Sequence, residues 1–272
     1  MEKTLYLSDL DGTLLRGDQT LSSFTKETIR RLSEKGLLFS YATARSYATA
    51  SKVASGLPTH LPVITFNGTF IIENGTGKTL LSNLFSKEEA AEILDILLKN
   101  NITPVVNAYF GTKEKFSYLP GKETRGIALF LKDRWNDPRR NPVESEKSLY
   151  EGNIFHIACI DEEEKLRSLY EMLRHRFPSV CYRDLYSGET WFEIHPNGAT
   201  KAQAMCKLKE MLGATRVVCF GDGMNDISMF HAADECYAVG NAETELKKIA
   251  TDVIESNEND GVAKWLLQHF KQ

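Results

Sequence analysis

The chain has 272 residues, 42% hydrophobic and 26% charged, with a formal net charge of −4. That length can bury a sizeable core in one large or two unequal domains, and a mild acidic balance without a Lys/Arg block argues against general affinity for nucleic acid or an anionic membrane. Five scattered cysteines without CxxC spacing fit reduced thiols and a cytoplasmic protein, and neither a signal peptide nor an apolar run of membrane-spanning length is read in the chain.

The first apolar run, Leu5 to Leu7, reads as a short buried strand that opens into Asp9-Leu10-Asp11-Gly12-Thr13. Asp is a poor strand residue, so two carboxylates at this strand end are either tolerated by the turn or wanted for something that binds there. The stretch LSSFTKETIRRLSEKG predicts a helix capped by Ser22 or Ser23 and stopped by Gly36. LLFSYATAR then reads as a strand ending at Thr43, and this strand-helix-strand order predicts a parallel sheet. PVITFNGTFIIENGTGKTLL predicts strands joined by a hairpin at Asn74-Gly75.

From about Leu84 to Tyr186 the alternation becomes irregular: the helix SKEEAAEILDILLKN, short strands, the polar stretch DRWNDPRRNP, the strand NIFHIACI and the helix EEEKLRSLYEMLRHRF. This predicts an inserted α+β domain over residues 84–186. Regular alternation resumes from WFEIHPNGATK onward, with helix TKAQAMCKLKEMLG, strand RVVCF, a helix from about Asn225, strand YAV, helix ETELKKIA, strand DVI and helix GVAKWLLQHF. The expected fold is α/β, a doubly wound, Rossmann-like parallel-sheet core of residues 1–83 and 187–272 interrupted by the α+β domain.

A second acidic turn, Gly221-Asp222-Gly223-Met224-Asn225-Asp226, follows an apolar strand just as the first does. Open parallel sheets bind ligands at the carboxyl ends of their strands, where Asp9, Asp11, Asp222 and Asp226 all fall on this assignment. Converging carboxylates repel one another unless a cation neutralises them, and a hard divalent ion with oxygen ligands, Mg2+ above all, suits them. Thr43 ends another strand with a hydroxyl and neighbouring amides, and Lys201 opens a helix where free N–H groups favour an anion. Metal, hydroxyl, ammonium and amides together describe a phosphate site beside a nucleophilic carboxylate.

Asp9-Leu10-Asp11-Gly12-Thr13, Thr43, Lys201 and Gly221-Asp222-Gly223-Met224-Asn225-Asp226 resemble the four motifs of the haloacid dehalogenase (HAD) superfamily of phosphohydrolases, and within it the Cof-type sugar-phosphate phosphatases, which carry an α/β cap between the second and third motifs. The resemblance extends to FNG at 66–68, VGNA at 239–242 and NDGVAKWL at 259–266. It implies that Asp9 attacks phosphorus to form an aspartyl phosphate, and that Asp11 protonates the leaving oxygen and then activates water. It also implies that Mg2+ is held by Asp9, the Asp11 carbonyl and Asp222, with Asp226 and Asn225 in support. Thr43, Lys201 and the amides of Leu10, Asp11 and Ala44 would then cradle the phosphoryl group, and the inserted domain would close over the site to exclude water and select the substrate. Two positions depart from the pattern: Ser8 precedes the first Asp where an apolar residue is usual, and Ala44 replaces a common Gly, which is harmless only at negative φ.

The expected activity is a Mg2+-dependent phosphatase of small phosphorylated metabolites (sugar phosphates, FMN or PLP), cytoplasmic, a monomer or homodimer, with neither nucleic acid nor membrane as partner. A phosphotransferase or phosphomutase on the same scaffold and a non-catalytic phosphometabolite sensor stay open as alternatives. GTGKT at 75–79 reads as a hairpin turn rather than a P-loop, because Ile72 stands where the leading Gly belongs. His156 has no second His at local metal spacing and reads as a hydrogen-bonded core residue. Trp191, Phe192 and Ile194 read as strand packing, and Arg183 and Tyr186 as surface residues or substrate neighbours.

Overall fold

Strand β1 (Thr4–Ser8) carries the first apolar run, with Leu5 and Leu7 fully buried. The computed structural model describes residues 3–185 and 187–270, so Tyr186 lies outside the described residues. Helix α1 (Ser23–Ser33) is capped by Ser22, whose side chain accepts from Thr25 N, and its inner face buries Ile29 and Leu32. Strand β2 (Leu38–Tyr41), helix α2 (Tyr47–Val53), and strands β3 (Val63–Thr65), β4 (Phe70–Ile72) and β5 (Thr79–Ser82) follow. Helix α2 escapes a reading by periodicity because only Ala50 on it is buried; its local signal is the Ser46 cap. The β4–β5 turn contains GTGKT, with Glu73 N donating to Lys78 O at 2.8 Å.

The next segment holds α3 (Lys87–Lys99), β6 (Val105–Phe110), β7 (Lys113–Tyr118), α4 (Arg125–Asp133), β8 (Arg140–Pro142), β9 (Asn153–Asp161), α5 (Glu163–Leu173), β10 (Ser179–Arg183) and β11 (Thr190–Ile194). Its six strands form one sheet in the order β10-β11-β9-β6-β7-β8. One apolar cluster joins Ile93, Leu94 and Leu97 of α3, Leu166 and Leu169 of α5, and Val106, Ile157, Phe192 and Ile194 of the sheet. A second joins Ile127 and Leu131 of α4 to Val105, Phe116 and Ile160. The run IALFL within α4 looks like a strand in isolation, but a Cβ at Gly126 would lie 2.2 Å from Ile160 Cγ2, so a glycine there lets the helix sit against β9.

The chain then continues through α6 (Lys201–Leu212), β12 (Arg216–Gly221), α7 (Ile227–Ala232), β13 (Glu235–Ala238), α8 (Thr244–Ile249), β14 (Asp252–Val253) and α9 (Gly261–His269). Strands β14-β13-β12-β1-β2 make a parallel sheet, extended past β2 by an isolated parallel bridge from Ala42 to Ile64. The fold is α/β, a doubly wound parallel-sheet core with an inserted α+β unit. Contacts divide it into Met1–Ser82 with Ala199–Gln272, and Asn83–Gly198.

The return to the core, expected at residue 187, therefore comes at Ala199. Trp191, Phe192 and Ile194 do pack as strand residues, but in the inserted sheet, where β11 pairs antiparallel with both β9 and β10. Apolar periodicity identifies a strand without telling which sheet it joins. His156 is buried as expected, yet His195 lies beside it with ring centroids 5.0 Å apart, a neighbour that antiparallel pairing supplies and local spacing cannot show. Among the described residues, no helix is long and apolar enough to cross a membrane.

In the core, Phe220 of β12 is fully buried and meets Trp265 of α9 edge-on at 5.2 Å, while Tyr237 lies 4.4 Å from the same indole. Truncating Phe220 to Ala removes a fully buried ring from this cluster and is expected to cost about 3–5 kcal/mol. Urea denaturation followed by Trp fluorescence should show the midpoint falling accordingly.

Candidate active site

Strand order reverses between β1 and β12: the chain moves from β1 to β2 on one side and from β12 to β13 and β14 on the other. Such a switch point leaves a crevice at the strands' carboxyl ends. Register does the rest. Ser8 pairs with Phe220, and the Asp9 amide donates to Phe220 O at 2.9 Å, so the acidic turns after the two strands lie side by side. One ligand oxygen from each of Asp9, Asp222 and Asp226 can be chosen so that all lie within 4.8 Å of one another.

Glycines make this approach possible. Gly12 has φ +74°, and a Cβ there would stand 2.2 Å from Asp222 Oδ2. Thr13 Oγ1 donates to Asp222 Oδ1 at 2.9 Å, tying the first turn to the second. Asp226 serves its own turn as well: its Oδ2 accepts from the amides of Asp222 and Gly223 at 3.0 and 3.1 Å. Capping and cluster membership are thus one arrangement.

Lys201 opens α6, with Thr200 as the N-cap. Its ammonium is fully buried and donates to Asp9 Oδ1 at 2.5 Å and Asp226 Oδ1 at 2.7 Å. A cation at a helix N-terminus opposes the helix dipole, and the two carboxylates supply the compensation. Burial alone would pull the Lys201 pKa down, but Asp226 and Asp9 outweigh it and hold the group raised and charged. Burial pushes the Asp9 carboxyl well above the usual carboxylate range, against the pull of Lys201. Burial, reinforced by Asp226, lifts Asp222 to about 7.

The charge balance indicates what the cluster can hold. With all three carboxylates ionised the cluster carries −3 and Lys201 returns +1, leaving −2 on an all-oxygen donor set. A hard divalent cation matches both the charge and the ligand type.

Asp11 contributes no carboxylate to this cluster. Its two oxygens accept from Arg45 Nη2 at 2.6 Å and Nε at 2.7 Å, and Arg45 also reaches Gln19 Oε1 at 2.8 Å. Leu10 is fully buried, and its carbonyl accepts from the amides of Thr13, Leu14 and Leu15, which winds the first turn. Ser8 is buried and donates from Oγ to Asp9 O at 2.7 Å, so the unusual residue is satisfied locally. Thr43 is fully buried after β2, with its amide on Ile64 O and its Oγ1 accepting from Arg45 N at 3.1 Å. Ala44 is not among the residues of left-handed φ, so its methyl group brings no backbone strain.

The FNG segment connects these pieces. Phe66, Asn67 and Gly68 have φ of +48°, +52° and +106°, a run of left-handed residues that only surrounding contacts can hold. The amides of Phe66 and Asn67 donate to the carbonyls of Arg45 and Thr43 at 3.0 Å each. A Cβ at Gly68 would lie 2.2 Å from Thr200 O, at the start of the helix that delivers Lys201. Asn225, expected near phosphate, donates through Nδ2 to Asn67 Oδ1 at 3.2 Å. Sequence reasoning assigned no roles to Arg45, Thr13, Asn67 and Gly68; their signal was adjacency to the motifs and the FNG string itself.

The profile of a family described as haloacid dehalogenase-like hydrolase matches residues 6–266. A 5-amino-6-(5-phospho-D-ribitylamino)uracil phosphatase of Bacillus subtilis is 29% identical, with 96% of each chain covered. The pyridoxal phosphate phosphatase of Escherichia coli is 24% identical over 96% of this chain and 97% of that one. A solved structure from Streptococcus mutans superposes with a TM-score of 0.81 at 22% identity over 99% of each chain, a likeness of fold.

Because Asp9 and Asp222 bind protons more tightly here than in the unfolded chain, where such carboxyls ionise near 3.8, the cation-free protein holds excess protons above that value, up to about 7 for Asp222. Stability from these groups is present at low pH and lost as pH rises through about 7. Chelator-treated protein should therefore gain more in Tm on adding a divalent cation at about pH 8 than at about pH 5. Equal shifts in differential scanning fluorimetry would rule out these carboxylates as the cation's ligands.

Proposed function

The chain belongs to the haloacid dehalogenase-like hydrolases, and on that premise we propose that it is a Mg2+-dependent phosphatase of small phosphorylated metabolites, working through an aspartyl phosphate on Asp9. The observation that carries this reading is the buried Lys201 ammonium set between Asp9 and Asp226, with Asp222 completing the acidic cluster. A hydrolase needs a nucleophile held in place and positive charge aimed at a phosphoryl group, and this cluster supports both.

In the proposed reaction an Asp9 oxygen bonds to phosphorus as the phosphorus–alcohol oxygen bond breaks, and Asp11 gives its proton to the departing alcohol. Asp11 then takes a proton from water as that water attacks the same phosphorus, freeing inorganic phosphate and the Asp9 carboxylate. Thr43, Lys201 and the amides of Leu10, Asp11 and Ala44 hold the phosphoryl oxygens, with Asn225 in support. Mg2+, held by Asp9, the Asp11 carbonyl and Asp222 with Asp226 behind them, would supply charge neutralisation at the transferring group. The bidentate Arg45 pair fixes Asp11 in the resting site, and the acid role requires that pair to open.

The two relatives are named for phosphatases of a phosphoribitylaminouracil and of pyridoxal phosphate, both small phosphorylated metabolites. We assign the same substrate class to this chain, sugar phosphates and FMN included. Selection among leaving groups is assigned to the inserted unit.

Purified protein with Mg2+ should release phosphate from members of a phosphometabolite panel at a rate independent of any added acceptor alcohol. Asp9→Asn should lower turnover by about 10³-fold or more. Asp11→Asn should lose turnover while keeping its Mg2+-induced Tm shift. Full turnover by Asp9→Asn would refute the aspartyl-phosphate mechanism.

A further inference from the structure

We propose that His156, Glu193 and His195 form a second metal site, lying wholly inside the inserted unit and suited to a borderline divalent ion of the Zn2+ type. Strands β9 and β11 run antiparallel with Ile157 opposite Ile194 and Ala158 opposite Glu193, so one further step of register sets His156 across from His195. Alternation along β11 puts Glu193 and His195 on one face. Glu193 Oε1 lies 3.3 Å from His156 Nε2, and Oε2 lies 4.0 Å from His195 Nε2. The three ligand atoms fall within 4.8 Å of one another, on residues that are at most 4% exposed.

Tetrahedral ligands at zinc distances stand roughly 3.3 Å apart, so small rotations of these side chains bring them to an ion. The donor set also discriminates. Two imidazoles and one carboxylate suit Zn2+ and its neighbours, whereas Mg2+ prefers the all-oxygen cluster of the core. Asn107, opposite His156 on β6, makes a 2.9 Å contact with its Nδ1 and so aims Nε2 at Glu193. The Asn107 atom in that contact is Nδ2, which donates to Nδ1; turning the amide over so that its oxygen accepts Nδ1–H leaves the Nε2 lone pair for an ion, an arrangement common behind metal-bound histidines. A bound ion would cross-link β9 to β11, strands separated in sequence by α5 and β10.

The test uses the full chain carrying Asp222→Asn, which disables the core cluster, stripped of metal and held in excess Mg2+. Titration with Co2+ should give one bound equivalent with visible d–d bands that Zn2+ then displaces, and Zn2+ should raise the Tm. His195→Gln or Glu193→Gln in the same background should abolish the bands and the Tm shift. No Co2+ equivalent in the Asp222→Asn protein overturns the proposal, as does an equivalent that survives both substitutions. Should those variants fail to fold, imidazole NMR during Zn2+ titration of the Asp222→Asn protein decides. Perturbation of His156 and His195 Nε2 supports the site; perturbation confined to His60, His175, His231 or His269 overturns it.

Discussion

A buried ammonium cannot stand alone, and Lys201 is fully buried. Desolvating a charge costs several kcal/mol unless charge-assisted hydrogen bonds replace the lost water. Asp9 and Asp226 supply those bonds, one from the end of β1 and the other from the turn after β12, while Lys201 itself arrives on α6. Three elements far apart in the chain must therefore be docked correctly before the triad is satisfied. Removing Lys201 would leave Asp9 and Asp226 as uncompensated buried charges, so the interactions that order the candidate site also hold the core together.

Satisfying the ammonium does not satisfy the acids. Asp222 brings a further carboxylate against Asp226; Thr13 holds the first, and the backbone amides of the second turn together with Lys201 hold the other. The result is an arrangement that favours protons or a cation over empty solvent. Strand register sets the alignment, and the absent side chains at Gly12 and Gly221 provide the room; a Cβ at Gly221 would meet Asp226 Oδ2 at 2.6 Å. The left-handed run at Phe66 to Gly68 bears on the same point from the other side, fastening Thr43 and Arg45 to the start of α6. Strain of about 1–3 kcal/mol per residue persists only where such contacts over-determine it.

The inserted unit follows a different logic. Its sheet is largely antiparallel, and its strand order brings β11 between β10 and β9. One face packs against α3 and α5 through an apolar cluster. The other carries α4 with its aromatic and aliphatic contacts, and also Asn107, His156, Glu193 and His195. A buried polar group of this kind in an otherwise apolar sheet is costly unless its members satisfy one another or a shared ligand.

Taken alone, the order of residues determined the class of the fold, the acidic turns at 9–13 and 221–226, and the type of chemistry they suit. Those signals are local: apolar runs ending in carboxylates, a helix cap at Ser22 or Ser23, and turn glycines each act within a few residues of chain. Only the tertiary structure decided that Asp11 faces Arg45 instead of the carboxylate cluster, that Asp226 both caps its turn and receives Lys201, and that FNG braces Thr43 and α6. It also decided that β11 belongs to the inserted sheet and that His156 has His195 as a neighbour. The reason is physical: strand pairing and side-chain convergence depend on which distant segments dock, and the periodicity of a single segment carries its buried face but not the identity of the partner that buries it.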